Sequence, residues 1–375
     1  MERFKKFVAG DNLPRFIISG FFLLILLTAV YLKMPFGRMM SDIFIRFGMN
    51  GVLVLAMVPA IQSGIRPNFG LPIGIIGGLL GIVISMEFNF TGFVGLLVAI
   101  VVGVFFGVIF GWLYGLLLNR VKGSEMIIAT YTGFSFVALM CIAWLVLPFT
   151  NDSMKWPIGS GLKNTITMES SFGELLNNFL SFRRVVVGGD QVNWVFNEST
   201  AYLQEEFGKD YFVSFHFPTG MILFVLLACF LVYLFINSRT GIALRAVGDN
   251  SRFAEASGLN VDRSRLIGTI LSTVLGAVGI IIYSQGFGYM QLYLAPQYMA
   301  FPAVAAILIG GASATRARIS HVLIGTFLFN GLLTIGLPVA NALVPDGGLS
   351  EVFRMIIQNG VILYALTKVG GSGSE

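Results

Sequence analysis

The chain has 375 residues, of which 56% are hydrophobic and only 11% are charged, and its mean hydropathy is +0.83. A soluble globular domain carries about 25% charged residues, so this composition excludes an ordinary soluble fold and indicates a chain that uses lipid as its solvent. The net charge of +5 comes without basic runs interleaved with aromatic residues, and we therefore expect no nucleic-acid partner.

The chain begins with a basic, polar stretch without a recognisable cleavable signal, which predicts a cytoplasmic N-terminus. A bilayer core requires about 20 apolar residues per helix. This length predicts ten membrane helices, at 16–34, 43–63, 69–87, 92–119, 125–148, 218–237, 265–286, 297–313, 320–337 and 351–368. With the N-terminus inside, fifteen Lys and Arg residues fall on the cytoplasmic side and nine fall outside. The sequence therefore predicts an all-α membrane protein with about ten transmembrane helices and both termini in the cytoplasm.

The 149–217 stretch breaks the apolar pattern, because it is polar, acidic and too long for a simple turn. We expect it to form an extracytoplasmic insertion. Its valine-rich runs at 185–187 and 192–196 flank a Gly-Gly-Asp turn and predict a hairpin, and 198–207 has the pattern of a short amphipathic helix. The insertion either covers the outer mouth or docks a partner, or it has only a packing role, and the sequence leaves these alternatives open.

The chain carries no nucleotide-binding P-loop, no Ser/His/Asp set and no cluster of metal ligands, so we expect neither catalysis nor a metal site in this chain. Charged residues sit near the ends of the predicted helices, and only Arg66 is ambiguous, which argues against proton coupling and against a strongly charged substrate. Neutral side chains inside the helices can bond a polar solute, although they can equally bond helix to helix. The candidates for a substrate pathway are Asn50, Gln62, Asn68, Phe69, Gln285 and Phe301.

The stretch at 237–265 interrupts the apolar pattern on the predicted cytoplasmic side. Its small residues and capping signals predict two slim helices, the first ended by Gly248 and the second by Gly258. Slim helices with few charges suit insertion into a groove of another protein, and an ordinary loop is the alternative. The candidate N-caps are Ser238 or Thr240 for the first helix and Asp249, Asn250 or Ser251 for the second.

The run GIALRAVGDNSRFAEASGLNV, at 241–261, resembles the cytoplasmic coupling loop of permeases in the ribose, simple-sugar and branched-chain amino acid ABC importer family. The run AAILIGGAS, at 305–313, is similar to a second motif of that family. The resemblance covers most of helices 2–10 and excludes the outer insertion. The chain departs from the ribose type after helix 2, where Arg66 and Pro67 stand in place of an acidic motif, and its NFGLPIG run is closer to nucleoside-type members.

The resemblance implies a single permease domain over 1–369, in which helices 2–5 and 7–10 form an inverted repeat, followed by a linker-like tail at 370–375. The helices opened by Pro72 and Pro302 occupy matching places in the two halves, which points to the substrate route. The implied location is a bacterial-type inner membrane. The implied partners are a second permease subunit, two ATPase subunits that hold the ATP-Mg, an extracytoplasmic solute-binding protein and membrane lipid.

The resemblance also implies a role for the 237–265 stretch, which would couple ATP hydrolysis by the partner subunits to transport. The implied coupling residues are Gly241, Leu244, Arg245, Ala246, Gly248, Asp249, Asn250, Ala254, Glu255 and Gly258. The expected solute is a small neutral polar molecule, with a simple sugar first and a nucleoside as the alternative. A secondary transporter and a membrane scaffold remain the other classes.

Overall fold

The computed structural model describes residues 13–157, 161–187, 191–196 and 211–343, together with the single positions 352, 355 and 360. These residues are mostly helical. The helices are α1 Leu13–Tyr31, α2 Phe36–Leu55, α3 Met57–Gln62, α4 Leu71–Glu87, α5 Gly92–Arg120, α6 Glu125–Val146, α7 Leu175–Asn178, α8 Thr219–Ile236, α9 Arg239–Asp249, α10 Ser251–Ala256, α11 Val261–Phe287, α12 Ala295–Tyr298, α13 Ala300–Ile309 and α14 Ile319–Leu343. The strands are β1 Thr165–Thr167, β2 Phe182–Val187, β3 Gln191–Phe196, β4 Tyr211–Phe217 and β5 Tyr289–Gln291.

Six segments of the described chain are long and apolar enough to cross a bilayer, namely the joined α2–α3 and helices α5, α6, α8, α11 and α14. Three shorter apolar segments, Arg15–Tyr31, Leu71–Glu87 and Ala295–Ile309, accompany them. These nine segments coincide with nine of the ten predicted helices. The tenth, at 351–368, lies outside the described residues apart from three single positions, so the count of ten stays a prediction.

The second membrane helix begins seven residues earlier than the sequence predicts, at Phe36 rather than at 43. Its first turns pack along β4 instead of standing in lipid. The Oγ atom of Ser41 accepts a hydrogen bond from the backbone N–H of His216 at 2.7 Å, and the rings of Phe44 and Phe217 lie 5.0 Å apart. Ser41 is thereby buried against β4, whereas Arg38 and Asp42 of the same turns stay exposed.

The predicted helix at 297–313 is also divided. Its residues form the short α12 and the ten-residue α13, and the chain then turns at Gly310 and Gly311. Pro302 stands in the first turn of α13, as Pro72 does in the first turn of α4. Proline tolerates the first turn because its missing N–H has no partner there in any case.

Helix α11 makes extensive contacts with three other helices, α2, α4 and α5. Small residues line these contacts, with Gly78 of α4 facing Ala277 of α11 and Gly81 of α4 facing Gly103 of α5. Small side chains let helix backbones approach closely in a membrane protein. By contrast, α5 and α6 expose large apolar side chains such as Leu97, Phe105 and Ile142 on their outer faces, as helices in contact with lipid do.

The insertion at 149–217, predicted to lie outside, forms an antiparallel sheet in the order β3-β2-β4. The predicted hairpin is confirmed, because β2 pairs with β3 from Phe182↔Phe196 to Val187↔Gln191; its 188–190 turn and the helix predicted at 198–207 lie outside the described residues. The sequence did not predict β4. It also did not predict that β1 pairs with β5, which ties the insertion to the segment after α11.

Candidate functional site

The 237–265 stretch folds into α9 and α10, and each helix begins at one of its predicted caps. The Oγ atom of Ser238 accepts from the N–H of Gly241 at 3.3 Å, and the Oδ1 atom of Asn250 accepts from the N–H of Phe253 at 3.0 Å. Gly258 follows the second helix with a φ of +83°, a left-handed conformation that glycine adopts without strain. The predicted caps and the predicted end of α10 are therefore confirmed.

The helix end predicted at Gly248 is wrong, because α9 continues past it to Asp249. A Cβ atom at position 248 would lie 2.2 Å from the carbonyl oxygen of Gln62, the last residue of α3. This distance leaves no room for any side chain. Glycine is needed here because the α9 backbone lies directly on the end of α3, and no local pattern in the sequence signals that contact.

The turn at 62–66, between α3 and α4, is the point where several elements meet. The Nε2 atom of Gln62 donates to the carbonyl oxygen of Ala317, just before α14, at 2.8 Å. Ser63 lies against Gly268 of α11, and Gly64 lies against Gly248 of α9. Arg66 is exposed on the same turn with a φ of +70°, which is uncommon for a residue other than glycine. A displacement of α9 therefore acts directly on a turn that contacts α11 and the α14 entrance.

The ten predicted coupling residues divide between two faces of α9 and α10. Gly241, Leu244 and Ala254 are buried against the helical body, and Ala246 and Gly248 are half-buried. The exposed members are Arg245, Asp249, Asn250, Glu255 and Gly258.

The exposed face also carries two large apolar residues that the sequence analysis did not single out. Ile242 is 59% exposed and Phe253 is 69% exposed. The two helices that carry them are in contact, so these exposed side chains are candidates for a contact surface. The signal was available in the sequence, because Ile242 and Phe253 stand out of phase with the small and apolar residues that α9 and α10 bury.

A buried ion pair lies beneath this junction and joins α6 to α11. The Nη2 atom of Arg265 is 2.6 Å from the Oε1 atom of Glu125, and the two side chains are only 9% and 7% exposed. Arg265 also lines a polar groove of about 340 Å³ that Gly64, Gly248 and Arg252 border. Glu125 is the first residue of α6 and Arg265 is the fifth of the 27 residues of α11, so the pair lies near the ends of the membrane segments rather than at mid-length.

The polar candidates for the substrate pathway bond elements of the protein to one another. The Oδ1 atom of Asn68 accepts from the Tyr114 hydroxyl, and its Nδ2 atom donates to the Oγ atom of Ser272, each at 2.9 Å. The Nδ2 atom of Asn50 donates to Asn330 at 3.1 Å. Each side chain thus connects neighbouring helices, and its part in a pathway stays a prediction.

The aromatic candidates meet where the two proline-opened helices approach each other. The ring centroids of Phe69 and Phe301 are 5.7 Å apart. Gln285 does not belong to this place, because it stands thirteen residues beyond Ser272 on α11, or about 20 Å at 1.5 Å per residue. The six candidates therefore lie at separate levels of the protein. Among the described residues, no group of three or more His, Cys, Asp and Glu side chains is placed to hold a metal ion.

The chain was compared with known proteins. The profile of one family, described as "Branched-chain amino acid transport system / permease component", matches residues 18–366. The chain is 33% identical over 129 residues to the nucleoside ABC transporter permease protein NupC of Lactococcus lactis, which covers 34% of this chain and 39% of that protein. It is 31% identical over 144 residues to the probable ABC transporter permease protein YphD of Escherichia coli, covering 38% and 41% of the two chains.

A third relative is the ribose import permease protein RbsC of Bacillus subtilis, with 27% identity over 209 residues, or 55% of this chain and 62% of that protein. The aligned regions thus span less than two thirds of the length of each of these relatives. No solved structure matches the chain significantly.

Proposed function

The chain belongs to the family of branched-chain amino acid transport system permease components, and we propose that it forms the translocation pathway of an ATP-driven ABC importer. Members of this family are transport subunits rather than enzymes, and the apolar helices make this chain a multi-pass protein of the inner membrane. In the proposed complex, ATP-Mg binds to two partner ATPase subunits. A second permease subunit and an extracytoplasmic solute-binding protein complete the importer.

The proposed solute is a small, neutral, polar molecule, with a simple sugar first and a nucleoside as the alternative. Relatives named for ribose and for nucleosides support both. The charge distribution supports a neutral solute. The described buried ion pair lies at the helix ends, and Asp42 and Arg46 lie on the part of α2 next to the outer strands. A proton-coupled secondary transporter needs an ionisable group near mid-membrane, and the described helices offer no such buried group.

The proposed topology has ten transmembrane helices, cytoplasmic termini and an inverted repeat of helices 2–5 and 7–10. Nine apolar segments at the expected places support the count. The contact between Phe69, just before α4, and Phe301, in the first turn of α13, supports the pairing of the two proline-opened helices. This contact is the place where we propose that the solute route is closed.

The contact of Gly248 with Gln62 carries the proposed mechanism. An ATPase subunit would hold the exposed side of α9 and α10 through Ile242 and Phe253. Its movement on ATP binding would push the α9 backbone against the 62–66 turn. The turn would pass the movement to α11 through Ser63 and to the α14 entrance through Gln62, and thereby switch access from one side to the other.

The test is Gly248→Ala in the tagged chain, purified with its partners in mild detergent. The new Cβ atom would meet the Gln62 carbonyl oxygen at 2.2 Å, so α9 must separate from α3. Overpacking of this kind costs about 1–3 kcal/mol, and we expect solute-stimulated ATP hydrolysis and uptake to fall about tenfold. Gly20→Ala is the matched control, because a Cβ atom at that helical position has no heavy atom within 4 Å.

Two results would contradict the proposal. Recovery of the chain without any ATPase under several extraction conditions would remove the importer assignment and favour a secondary transporter or a scaffold. Full coupling in the Gly248→Ala complex, equal to that of Gly20→Ala, would leave the importer assignment in place but remove the 62–66 turn from its mechanism.

A further inference from the structure

A polar cavity of about 250 Å³ lies on the outer side of the protein, where the insertion meets the membrane helices. Its wall combines α7, the edge of the outer sheet and α2. The polar residues that line it are Glu174, Asn177, Asn178, Arg183 and His216, and Val213 supplies part of its apolar wall. No part of the coupling mechanism uses this cavity.

The cavity is built on the outer end of α11. The N–H of Glu174 donates to the carbonyl oxygen of Gln285 at 2.6 Å, and the N–H of Leu176 donates to the side-chain oxygen of Gln285 at 3.0 Å. The Nδ2 atom of Asn177 donates to the carbonyl oxygen of Gly286 at 2.9 Å. These three bonds fix α7, and with it one wall of the cavity, to a membrane helix that the rest of the fold holds firmly.

The Oδ1 atom of Asn177 is an acceptor without a hydrogen-bond partner among the described residues, although the residue is only 5% exposed. The amide cannot be turned around to correct this, because the carbonyl oxygen of Gly286 needs a donor and only Nδ2 supplies one. A buried acceptor that stays unpaired is costly. Asn177 lines the cavity, but less than 1 Å² of its Oδ1 atom is accessible, so a ligand O–H or N–H group bonds this acceptor only if the cavity wall moves aside.

Hydrogen bonds and burial fix whether the other polar groups of the wall donate or accept. The Nε2 atom of His216 donates to the carbonyl oxygen of Asn177 at 3.2 Å. Burial, and then the nearby positive charge of Arg183, lower the pKa of His216 to about 4, so the ring is neutral and its Nδ1 atom is an acceptor. Arg183 is 6% exposed and donates to the Oδ1 atom of Asn178. The wall therefore offers acceptors together with a guanidinium.

The charges on the wall limit the class of ligand. Arg183 disfavours a bare cation, and Glu174 disfavours a bare anion, because each would meet a like charge in the same small space. These charges leave a zwitterion or a neutral polar molecule, and the neutral class is the one that matches the proposed solute. Each hydroxyl of such a molecule both donates and accepts, so neighbouring hydroxyls of a sugar ring can donate to Glu174 and to the Nδ1 atom of His216 while they accept from Arg183.

We propose that this cavity binds the polyhydroxylated ring of the transported solute, a pentose either free or as part of a nucleoside, on the extracytoplasmic side of the permease. The inference rests on the proposed function, because it assigns a place to the solute of the proposed importer. It gives the outer insertion, which lies outside the family resemblance, a part in solute recognition.

The test measures direct binding to the purified full-length chain in lipid nanodiscs, without ATPase or binding protein. The probes are radiolabelled D-ribose, adenosine and L-leucine. We expect saturable binding of D-ribose, adenosine or both, with one site per chain, and no binding of L-leucine. Loss of a hydrogen bond to a charged group commonly weakens binding about tenfold or more, and we expect that loss in Glu174→Gln.

Val213→Trp separates binding from folding, because it fills the cavity without removing any of its hydrogen bonds; we expect it to abolish probe binding. Asn164→Ala is the control, an exposed residue of the same insertion away from this cavity, and it should bind as the unmodified chain does. Each variant is checked by size exclusion and thermal unfolding.

The outcomes are distinct. Binding of D-ribose alone identifies a free sugar, and tighter binding of adenosine identifies a nucleoside; both support the proposal. Binding of L-leucine alone overturns it in favour of a zwitterionic ligand. No probe binding, or binding that survives Glu174→Gln and Val213→Trp, overturns it and leaves a cavity that holds water only. The assay needs no ATPase, so failure here leaves the importer assignment to the Gly248 experiment.

Discussion

Two ion pairs near the ends of α5, α6 and α11 that lie beside α9 and α10 show how burial changes the value of the same contact. Lys122 and Asp262 approach to 2.6 Å, as Glu125 and Arg265 do. The Lys122 and Asp262 side chains are 51% and 60% exposed, whereas those of the second pair are almost fully buried. Water screens the exposed pair, and no water screens the buried one. Breaking the buried pair leaves a lone charge inside the protein.

We therefore expect Glu125→Ala to destabilise the protein by about 3 kcal/mol, and Asp262→Ala by less than about 1 kcal/mol. The measurement is thermal unfolding in detergent, with the two variants compared side by side. Replacing both buried partners, as in Glu125→Leu with Arg265→Met, should recover much of the loss because no unpaired charge remains. Equal losses of stability in Glu125→Ala and Asp262→Ala would contradict this expectation, because they would show that the Arg265 side chain is not buried.

At the residue scale, the sequence shows which residues are unusual for an apolar chain but does not show what they contact. Asn68 and Gln285 stand out in an apolar chain, but their partners are Tyr114, Ser272 and Leu176, which are distant in sequence. The pattern predicts a helix end at Gly248 because glycine often ends helices. The actual cause is the Gln62 carbonyl oxygen, about 186 positions earlier in the chain, and such contacts leave no local signature.

At the scale of the elements, local signals were sufficient where the structure itself is local. The Asn250 cap and the Gly258 end of α10 depend on residues within a few positions of each other, and the β2–β3 hairpin depends on one short turn. By contrast, β4 pairs with a strand more than twenty residues away, and β5 pairs with β1 across more than a hundred. Their short runs carry no periodic signal of their own.

The attachment of β4 should depend on pH, because it carries His216. An unfolded histidine titrates near pH 6.5, whereas burial and Arg183 lower the pKa of His216 to about 4. Between these values the unfolded state binds more protons than the folded state, so the stability that the neutral ring contributes is complete above pH 6.5 and is lost as the pH falls toward 4.

We expect hydrogen exchange of the β4 amides, corrected for the intrinsic rate, to accelerate as the pH falls from about 7.5 to 5. His216→Gln keeps a side-chain donor for the Asn177 carbonyl oxygen without titrating in this range. Glu174 and Arg183 face the same cavity, so the variant also separates the histidine from its charged neighbours. An unchanged pH response in His216→Gln would assign the effect to another group.

At the scale of the whole molecule, composition and helix length identified a multi-pass membrane protein, and nine apolar segments lie where the sequence predicts them. The family match confirms the resemblance inferred from the 241–261 and 305–313 runs. The β4 strand and the cavity beside it were not predictable, because they depend on contacts of the insertion with α2 and α11. The direction of the chain through the membrane stays a prediction.

That direction can be tested by cysteine labelling. In a chain with Cys141→Ala and Cys229→Ala, we would place a single cysteine by Ser153→Cys in the insertion or by Ser257→Cys after α10, both at exposed positions. A membrane-impermeant maleimide should label position 153 in intact cells and position 257 only after the membrane is opened. The opposite pattern would invert the topology and place α9 and α10 outside, where no ATPase could reach them.

The uninterrupted course of α11 has a mechanical consequence. Its 27 residues contain no proline, and the 20 positions between Arg265 and Gln285 span about 30 Å. One end touches the turn below α9 and the other carries the floor of the outer cavity. Because α11 is one continuous helix held at both ends, a tilt at one end is transmitted directly to the other. In an importer that contains this helix, nucleotide binding on one side could change the affinity of the outer cavity for its ligand. Thermodynamic reciprocity then requires that ligand binding in the cavity changes the affinity for nucleotide by the same factor.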